Sequence, residues 1–283
     1  MTPPQKNKAD IFRALHSGSE ILLLPNAWDA ASARIVEECG FPAVATTSAG
    51  IAFSLGYPDG QKISKEDMFA VVARIATAVN VPVTADVEAG YGNRPENVAE
   101  TARAVIEAGA VGLNLEDATG DSSHPLAEVS LQLEKIRAVR QAAASLHVPL
   151  VLNARTDVYL LQVGEPATRY DEALRRLSAF RDAGADCVFL PSLRDAATIG
   201  RIVADLRCPL NILGGPGSPS APELRKLGVA RVSLGSGPMR ATLGLLRRLA
   251  EEVKSAGTYA AMEGAPSHAE MNTLMNSNRK TEA

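Results

Sequence analysis

Long apolar runs are absent from this chain of 283 residues. No stretch reaches the roughly 18 consecutive apolar residues that a membrane-spanning helix requires. The start of the sequence also lacks an apolar run of signal-peptide length. We therefore expect a cytoplasmic protein that has no membrane partner.

An excess of positive charge is absent as well. The chain has 29 Lys and Arg against 32 Asp and Glu, a formal net charge of -3. This balance gives no basic surface for nucleic acid or for an anionic membrane. Because 46% of the residues are hydrophobic and 22% are charged, the chain is able to bury a sizeable core. We expect a globular protein whose partner is a small molecule.

Cysteine is scarce, and its spacing excludes two common uses. Cys39, Cys187 and Cys208 are odd in number and lack the spacing of metal ligands. All three lie beside apolar segments, so we expect them to be small buried hydrophobic residues.

Short apolar or β-branched runs alternate with longer helical patterns. Eight runs are interpreted as strands, at residues 21–27, 43–48, 81–88, 111–117, 149–156, 187–193, 209–215 and 231–237. Eight segments are interpreted as helices, at residues 30–39, 65–79, 95–108, 126–145, 167–183, 195–206, 221–227 and 238–256. Several helices end in a glycine followed at once by the next strand, as in EAGAVGL and DAGADCV, which is typical of parallel β/α units.

Eight such units predict an α/β fold, a (β/α)₈ TIM barrel in one domain over residues 1–283. Its core spans about residues 20–250, and residues 257–283 form a C-terminal helical extension or tail. The alternative is an open doubly wound sheet. It is disfavoured because no glycine-rich dinucleotide turn follows the first strand.

Charged residues end three successive predicted strands. Asp86 and Glu88 end the third strand, Glu116 the fourth and Arg155 the fifth. In this fold the carboxyl ends of the strands carry the active site. Three acids around one point repel each other, and a hard divalent cation such as Mg²⁺ relieves the repulsion because it prefers oxygen ligands. A purely structural network of ion pairs is the alternative.

The motifs at these strand ends resemble the isocitrate lyase/phosphoenolpyruvate mutase superfamily. The similarity rests on motifs in the same order on the same elements: LPNAWDAASARI, SAGIAFSLGYPD, DVEAGYG, NLED and NARTD. The resemblance implies a (β/α)₈ barrel that binds Mg²⁺, with Mn²⁺ as a possible substitute. It also implies lyase chemistry next to an enolate of pyruvate, on small 2-oxo or 2-hydroxy acids. Members form homodimers or homotetramers, often with exchange of the last barrel helix.

The resemblance also implies roles for individual residues. Asp86 would be the direct metal ligand, with Glu88 and Glu116 holding metal-bound waters. Arg155 would bind the substrate carboxylate or steady the enolate. Three further residues, Thr47, Ser48 and Ala49, match the segment whose backbone N–H groups hold the 2-oxo acid. Two more match residues near the ligand: Asp59, an acid that reaches into the site, and Trp28, which forms its wall or only packs beside it.

The loop after the fourth strand departs from the family. Isocitrate and methylisocitrate lyases carry a basic residue and a reactive cysteine there, and the mutases carry a lysine and an asparagine. Residues 118–125 read ATGDSSHP and contain none of these. His124 could donate a proton to an enolate, or it could be a solvent-exposed residue before a proline. Tyr57 is the other possible donor, and the sequence does not choose between them.

Decarboxylation makes the smallest demand on such a loop, because carbon dioxide leaves without a proton. We therefore expect a decarboxylase of an oxaloacetate-type acid. Glycine-rich turns at residues 214–218 and 235–237 leave phosphonopyruvate or phosphoenolpyruvate as an alternative substrate, since barrels often bind phosphate there. A metal-dependent dicarboxylate binder without catalysis is the third alternative.

Overall fold

The structure, a computed structural model, describes residues 3–18 and 20–276. The part of the predicted tail after residue 276 lies outside the described residues. No helix among those described is long and apolar enough to cross a membrane.

A closed parallel sheet forms the centre of the molecule. The strands are β1 (Leu22–Leu24), β2 (Asn26–Ala27), β3 (Val44–Thr46), β4 (Val83–Asp86), β5 (Gly112–Glu116), β6 (Val151–Arg155), β7 (Cys187–Leu190), β8 (Leu210–Leu213) and β9 (Arg231–Ser233). β1 pairs with β9 and β2 pairs with β3, all in parallel. Only Pro25 separates β1 from β2, so together they are one barrel strand, interrupted where proline has no N–H to donate. The predicted (β/α)₈ barrel is confirmed, and the open sheet is excluded.

Helices surround the sheet. They are α1 (Pro3–Leu15), α2 (Ala30–Glu38), α3 (Ser48–Ser54), α4 (Lys65–Ala78), α5 (Pro95–Glu107), α6 (Val129–Ser145), α7 (Arg169–Asp182), α8 (Ala196–Leu206), α9 (Ala221–Lys226), α10 (Gly237–Ala256) and α11 (His268–Asn276). A 3₁₀ turn, Ala260–Met262, joins α10 to α11. All eight predicted helices are present, with ends that differ by up to three residues.

Two helices were not predicted, and one of them corrects a predicted strand. Helix α1 packs Phe12, which is fully buried, against Gly112 of β5 and so closes the floor of the barrel. The strand predicted at 43–48 ends at Thr46. Thr47 instead caps α3, because its side-chain oxygen accepts the Gly50 N–H at 3.3 Å.

One cysteine lies where we did not expect it. Cys187 is buried and Cys208 is partly buried, but Cys39 is exposed. Cys39 is the C-cap residue of α2, where the helix turns towards solvent. The expectation of burial is therefore wrong for Cys39.

Candidate active site

The strand ends bring the predicted acids and the arginine to one rim. Asp86, Glu116 and Arg155 are the last residues of β4, β5 and β6. Glu116 pairs in register with Arg155, and Asp86 pairs with Asn114 two residues before Glu116. Because the strands are neighbours and parallel, these side chains share the carboxyl end of the barrel.

Asp86 is held on one side and open on the other. Its Oδ2 accepts hydrogen bonds from the backbone N–H of Ser48 at 3.0 Å and from the Ser48 hydroxyl at 2.9 Å. Its own N–H donates to the Thr46 hydroxyl at 2.9 Å. Among the described residues, Oδ1 has only the distant amide of Asn114, at 3.5 Å. One carboxylate oxygen is thus fixed, and the other is available to a ligand.

Glu88 lies beside Asp86 in an unusual backbone conformation. Its φ of 51° falls in the left-handed region, which residues with a Cβ rarely adopt. The side chain is 4% exposed, and Oε2 accepts the N–H of Gln61 at 2.6 Å. Burial raises the pKa of Glu88 to about 7, and the negative charges of Asp86 and Asp59 add to the effect. This carboxyl group therefore lies among negative charges, and no cation of the described residues forms an ion pair with it, although the more distant Arg155 lowers its pKa slightly.

Arg155 is clamped between two carboxylates. Its Nη1 lies 2.8 Å from Glu116 Oε2, and its Nε and Nη2 donate to Asp157 at 2.5 and 2.9 Å. Its guanidinium also lies over the ring of Phe189, with Cζ 5.7 Å from the centroid. Burial raises the pKa of Glu116 well above its ordinary value, and Arg155 opposes that rise. The charge of Arg155 is thus matched locally and does not neutralise Glu88.

The segment at the start of α3 that is predicted to bind substrate uses two of its three amides within the protein. The N–H of Thr47 donates to Ala27 O at 3.2 Å, and that of Ser48 donates to Asp86. The N–H of Ala49 makes no hydrogen bond within the described residues. Trp28 packs next to this segment. If Gly50 carried a Cβ atom, that atom would lie only 3.1 Å from the Cβ of Trp28.

The loop before α4 brings one more acid to the rim. Asp59 is exposed at the loop surface, yet partial burial and the charge of Asp86 raise its pKa, and Arg155 lowers it. These interactions place Asp59 within electrostatic reach of the other acids. We call Asp59, Asp86, Glu88 and Glu116 the carboxylate cluster. Tyr57, in the same loop, is 46% exposed.

His124 is separated from the carboxylate cluster. Residues 118–126 fold back on themselves, since Ala118 pairs with Leu126 and the N–H of Thr119 donates to Pro125 O at 3.0 Å. The His124 side chain is 84% exposed at the tip of this loop, and its Nδ1 lies 3.6 Å from Asp121 Oδ2. The structure therefore agrees with the exposed alternative for this histidine.

The glycine-rich turn after β8 is closed by its own hydrogen bonds. The N–H of Gly215 donates to the Ser218 hydroxyl at 3.0 Å, and the N–H of Ser218 donates to Gly215 O at 3.0 Å. Both groups are used within the turn, so the turn needs no phosphate to explain it.

Comparison with known proteins places this geometry in a family. The family model described as phosphoenolpyruvate phosphomutase matches residues 12–254. The chain belongs to this family. The superfamily expected from the motifs is confirmed, and so is the expectation of an enzyme of the lyase class.

Three proteins that are similar to this phosphoenolpyruvate phosphomutase family member are named for different reactions. An oxaloacetate decarboxylase of Rhodopseudomonas palustris is 32% identical over 75% of this chain and 72% of its own. The solved structure of a lyase/mutase candidate from Burkholderia cenocepacia matches this chain with a TM-score of 0.92. The two sequences are 39% identical, and the match covers 97% of this chain and 98% of the other. A phosphonopyruvate hydrolase solved with oxalate and Mg²⁺ has a TM-score of 0.84 and 25% identity, over 96% of both chains.

The carboxylate cluster of this family member fits a hydrated Mg²⁺ better than a fully protein-bound metal. Within the described ranges, no three His, Cys, Asp or Glu side chains converge closely enough to hold an ion together. Mg²⁺ keeps several waters and needs only one or two carboxylates in direct contact. The open oxygen of Asp86 can supply that contact, and the acidic neighbours Glu88 and Glu116 can accept hydrogen bonds from the waters.

Sequence reasoning gave Asp117 and Asp157 a structural role, as caps or ion-pair partners at the rim, but missed which residues they contact. Asp117 accepts hydrogen bonds from Thr156 and from the N–H of Asp157, and it pairs with the buried Arg176 at 3.2 Å. This network locks the loops after β5 and β6 together.

A second, deeper polar layer was also missed. Arg231, Asn114 and Asn153 are buried within the barrel, below the carboxylate cluster. The asparagines stand two residues before Glu116 and Arg155, so the period of two along each strand could have placed them. Arg231 gave a further signal, because it is a charge at the start of an otherwise apolar strand.

Proposed function

We propose that the chain is a Mg²⁺-dependent carbon–carbon lyase of a small 2-oxo or 2-hydroxy dicarboxylic acid, and that its favoured form is an oxaloacetate-type decarboxylase. Mn²⁺ could replace Mg²⁺. One observation supports the proposal: Asp86 offers an open oxygen inside a carboxylate cluster whose Glu88 forms no ion pair within the described residues, and Arg155 offsets the raised pKa of Glu88 only in part. A divalent ion supplies the missing charge.

The relatives support the same chemistry. The Rhodopseudomonas relative is named for oxaloacetate decarboxylation, and the phosphonopyruvate hydrolase was solved with Mg²⁺ and oxalate, a small dicarboxylate. Asp86 would contact the metal directly, whereas Glu88 and Glu116 would hold its waters. When bound, the metal supplies a Lewis acid for the oxygen atoms of the substrate.

The protein groups would orient the acid and stabilise developing charge. Arg155 presents a rigid guanidinium at the rim, suited to a substrate carboxylate. The free N–H of Ala49 adds a donor for an oxygen that gains negative charge, and fixed donors of this kind lower such barriers. Cleavage of the bond between C3 and its carboxylate releases CO₂ and leaves an enolate of pyruvate. A proton then returns to C3, and Tyr57 and Asp59 are the titratable groups of the nearby loop.

The loop at residues 118–126 explains why decarboxylation is favoured over aldol-type cleavage. It has neither lysine nor cysteine, and its histidine points to solvent. Aldol-type cleavage needs a base that takes the proton from the hydroxyl that becomes the carbonyl of the aldehyde or ketone product. Loss of carbon dioxide from a carboxylate needs no such base, and the enolate that remains needs only one proton at C3.

A substrate panel tests this function. Metal-stripped protein is mixed with Mg²⁺ and with oxaloacetate, substituted malates or phosphonopyruvate, and pyruvate release is followed, with Asp86→Asn as the inactive control. Release from oxaloacetate above the Mg²⁺-only rate supports the proposal. Release from phosphonopyruvate alone would indicate phosphorus–carbon chemistry instead. No release from any of them, with metal-dependent oxalate binding retained, would indicate a binder.

We also propose that the protein is a homodimer or homotetramer that exchanges its last barrel helix. Of the 20 residues of α10, Met239 alone is buried, and Leu243, Leu245 and Leu246 are 44–57% exposed. An apolar groove of about 320 Å³ remains on the outer wall of the barrel, lined by residues of β1, β9 and α9. The exposed helix of one subunit would fill this groove in another. Light scattering of Leu246→Glu, which should become monomeric, tests the exchange.

A cytoplasmic location is also part of the proposed function.

A further inference from the structure

Arg231 is a buried cation without an adjacent anion. Its side chain is fully buried at the start of β9, inside the barrel. No carboxylate among the described residues lies within 4.0 Å of its guanidinium, and its Nε has no hydrogen-bond partner. A buried charge of this kind is unfavourable unless another group in the protein compensates for it.

The groups next to Arg231 are neutral. Its Nη1 lies 3.4 Å from Nε2 of His16, whose Nδ1 lies 2.8 Å from Phe12 O. Burial, followed by the charge of Arg231, lowers the pKa of His16 to about 4. Burial raises the pKa of Cys187 to about 12, so this thiol is also uncharged. The remaining electrostatic partner of Arg231 is the carboxylate of Asp86.

Asn114 connects Arg231 to Asp86. Its Oδ1 accepts from Arg231 Nη2 at 3.3 Å and from Asn153 Nδ2 at 2.8 Å, which fixes the orientation of the amide. Its Nδ2 consequently faces Asp86 Oδ1 at 3.5 Å. The amide dipole therefore runs from the cation to the carboxylate, with its negative end on Arg231 and its positive end on Asp86.

We propose that Arg231 is a positioning residue that places a fixed positive charge beneath the active site and acts on Asp86 through Asn114. This inference rests on the proposed metal site. A fixed positive charge opposes the binding of a divalent cation at Asp86, and it favours the binding of a dianionic acid once that cation is in place. Arg231 therefore moves the affinity for metal and the affinity for substrate in opposite directions.

The opposite signs distinguish this role from a structural one. Damage to packing weakens both kinds of binding, whereas removal of a charge strengthens one and weakens the other. The two contacts through Asn114, of 3.3 and 3.5 Å, separate the charge of Arg231 from Asp86. For a separation on the order of 10 Å and an effective dielectric of roughly 20 to 40, each effect is expected to be at least about fivefold. Arg231→Lys keeps the charge and should keep both affinities.

The test compares wild type, Arg231→Met and Arg231→Lys. Mn²⁺ binding to metal-stripped protein is measured from the free Mn²⁺ signal in electron paramagnetic resonance, and oxalate binding at saturating Mg²⁺ is measured by calorimetry. We expect Arg231→Met to bind Mn²⁺ at least about fivefold more tightly and oxalate at least about fivefold more weakly. Arg231→Lys should stay within about twofold of wild type in both. Arg34→Met, which removes a buried arginine of α2 on the outside of the barrel, should change neither constant.

Several outcomes would overturn the inference. The inference is contradicted if a folded Arg231→Met variant binds both Mn²⁺ and oxalate more weakly than wild type, or if neither affinity changes. If Arg231→Met does not fold, Arg231→Gln takes its place with the same expectation. The inference is also contradicted if a folded Arg231→Lys variant loses its affinity for Mn²⁺ or for oxalate by more than about tenfold. This outcome counts whether Arg231→Met or Arg231→Gln is the neutral variant that folds. Wild type that binds no Mn²⁺ would instead refute the proposed function, so the two failures are distinguishable.

Discussion

Replacing Glu88 by glutamine should stabilise the metal-free protein at alkaline pH. Glutamine keeps the shape and an oxygen that can accept the N–H of Gln61, but it removes a charge from the carboxylate cluster. The pKa of Glu88 is about 7 in the folded protein against an ordinary 4.5, and burial is the main cause. Between these two values the folded protein keeps a proton that the unfolded chain has lost. The free energy of unfolding of wild type therefore falls as pH rises through this range.

The pKa values set the size of the effect. A rise in the pKa of Glu88 from 4.5 to about 7 corresponds to a loss of about 3 kcal/mol in the free energy of unfolding above pH 7, because one pKa unit is about 1.36 kcal/mol. Relaxation and water entry at the barrel mouth reduce this figure, so about 1–3 kcal/mol is expected. For a chain of 283 residues, whose entropy of unfolding is about 0.6 kcal/mol/K, that is about 2–5 °C in Tm.

The assay is thermal unfolding of chelator-treated protein between pH 5 and pH 8. Glu88→Gln should melt about 2–5 °C above wild type at pH 8, and the gain should shrink towards pH 5. Glu107→Gln, which removes an exposed charge from α5, serves as the matched control and should follow wild type. Added Mg²⁺ should stabilise wild type more at pH 8 than at pH 5, because it favours the ionised cluster. Parallel curves for wild type and Glu88→Gln across the whole range would refute the reasoning.

Three other substitutions probe the remaining parts of the site. Asp86→Asn should keep its Tm within a few degrees, because an amide oxygen can still accept both hydrogen bonds from Ser48, but it should lose the rise in Tm that Mg²⁺ gives wild type in a thermal-shift assay. Arg155→Met leaves Glu116 and Asp157 without their cation and should lower the free energy of unfolding by about 3–5 kcal/mol in urea titrations; a loss below 1 kcal/mol would argue against a clamped arginine. His124→Ala should release pyruvate from oxaloacetate within about twofold of wild type, since exposed side chains away from a site rarely matter, and a tenfold loss would return this histidine to the list of proton donors.

The sequence was sufficient to predict the barrel and the main acids of the site. Apolar runs separated by glycine-capped helices recur often enough to define a parallel fold. The carboxyl ends of neighbouring parallel strands then place Asp86, Glu116 and Arg155 on one rim. Glu88 lies beyond the end of β4 with a φ of 51°, so the prediction that the strand continues to residue 88 is wrong, and the period of two does not place this residue. The family motifs indicated the function, but the local sequence pattern alone had already placed the acids and Arg155 at the same end of the barrel.

The missed features depend on tertiary contacts. Helix α1 is polar apart from a few residues, and its contacts with the barrel, such as the buried Phe12 and the hydrogen bond from Lys8 to Val79 O, are not visible in its local sequence. Helix α3 has only seven residues and begins inside the predicted strand 43–48, so the cap formed by Thr47 identifies its start, which no long helical pattern does. Arg231 lies in an apolar run, and its partners come from elements more than 100 residues away.

Calorimetric titration of oxalate into metal-stripped protein, with and without Mg²⁺, tests the central claim most directly. The account predicts binding with Mg²⁺ or Mn²⁺ and no detectable heat of binding without them, because the carboxylate cluster repels a dianion until a cation is present. Equal affinity in the presence and absence of both metals would contradict it.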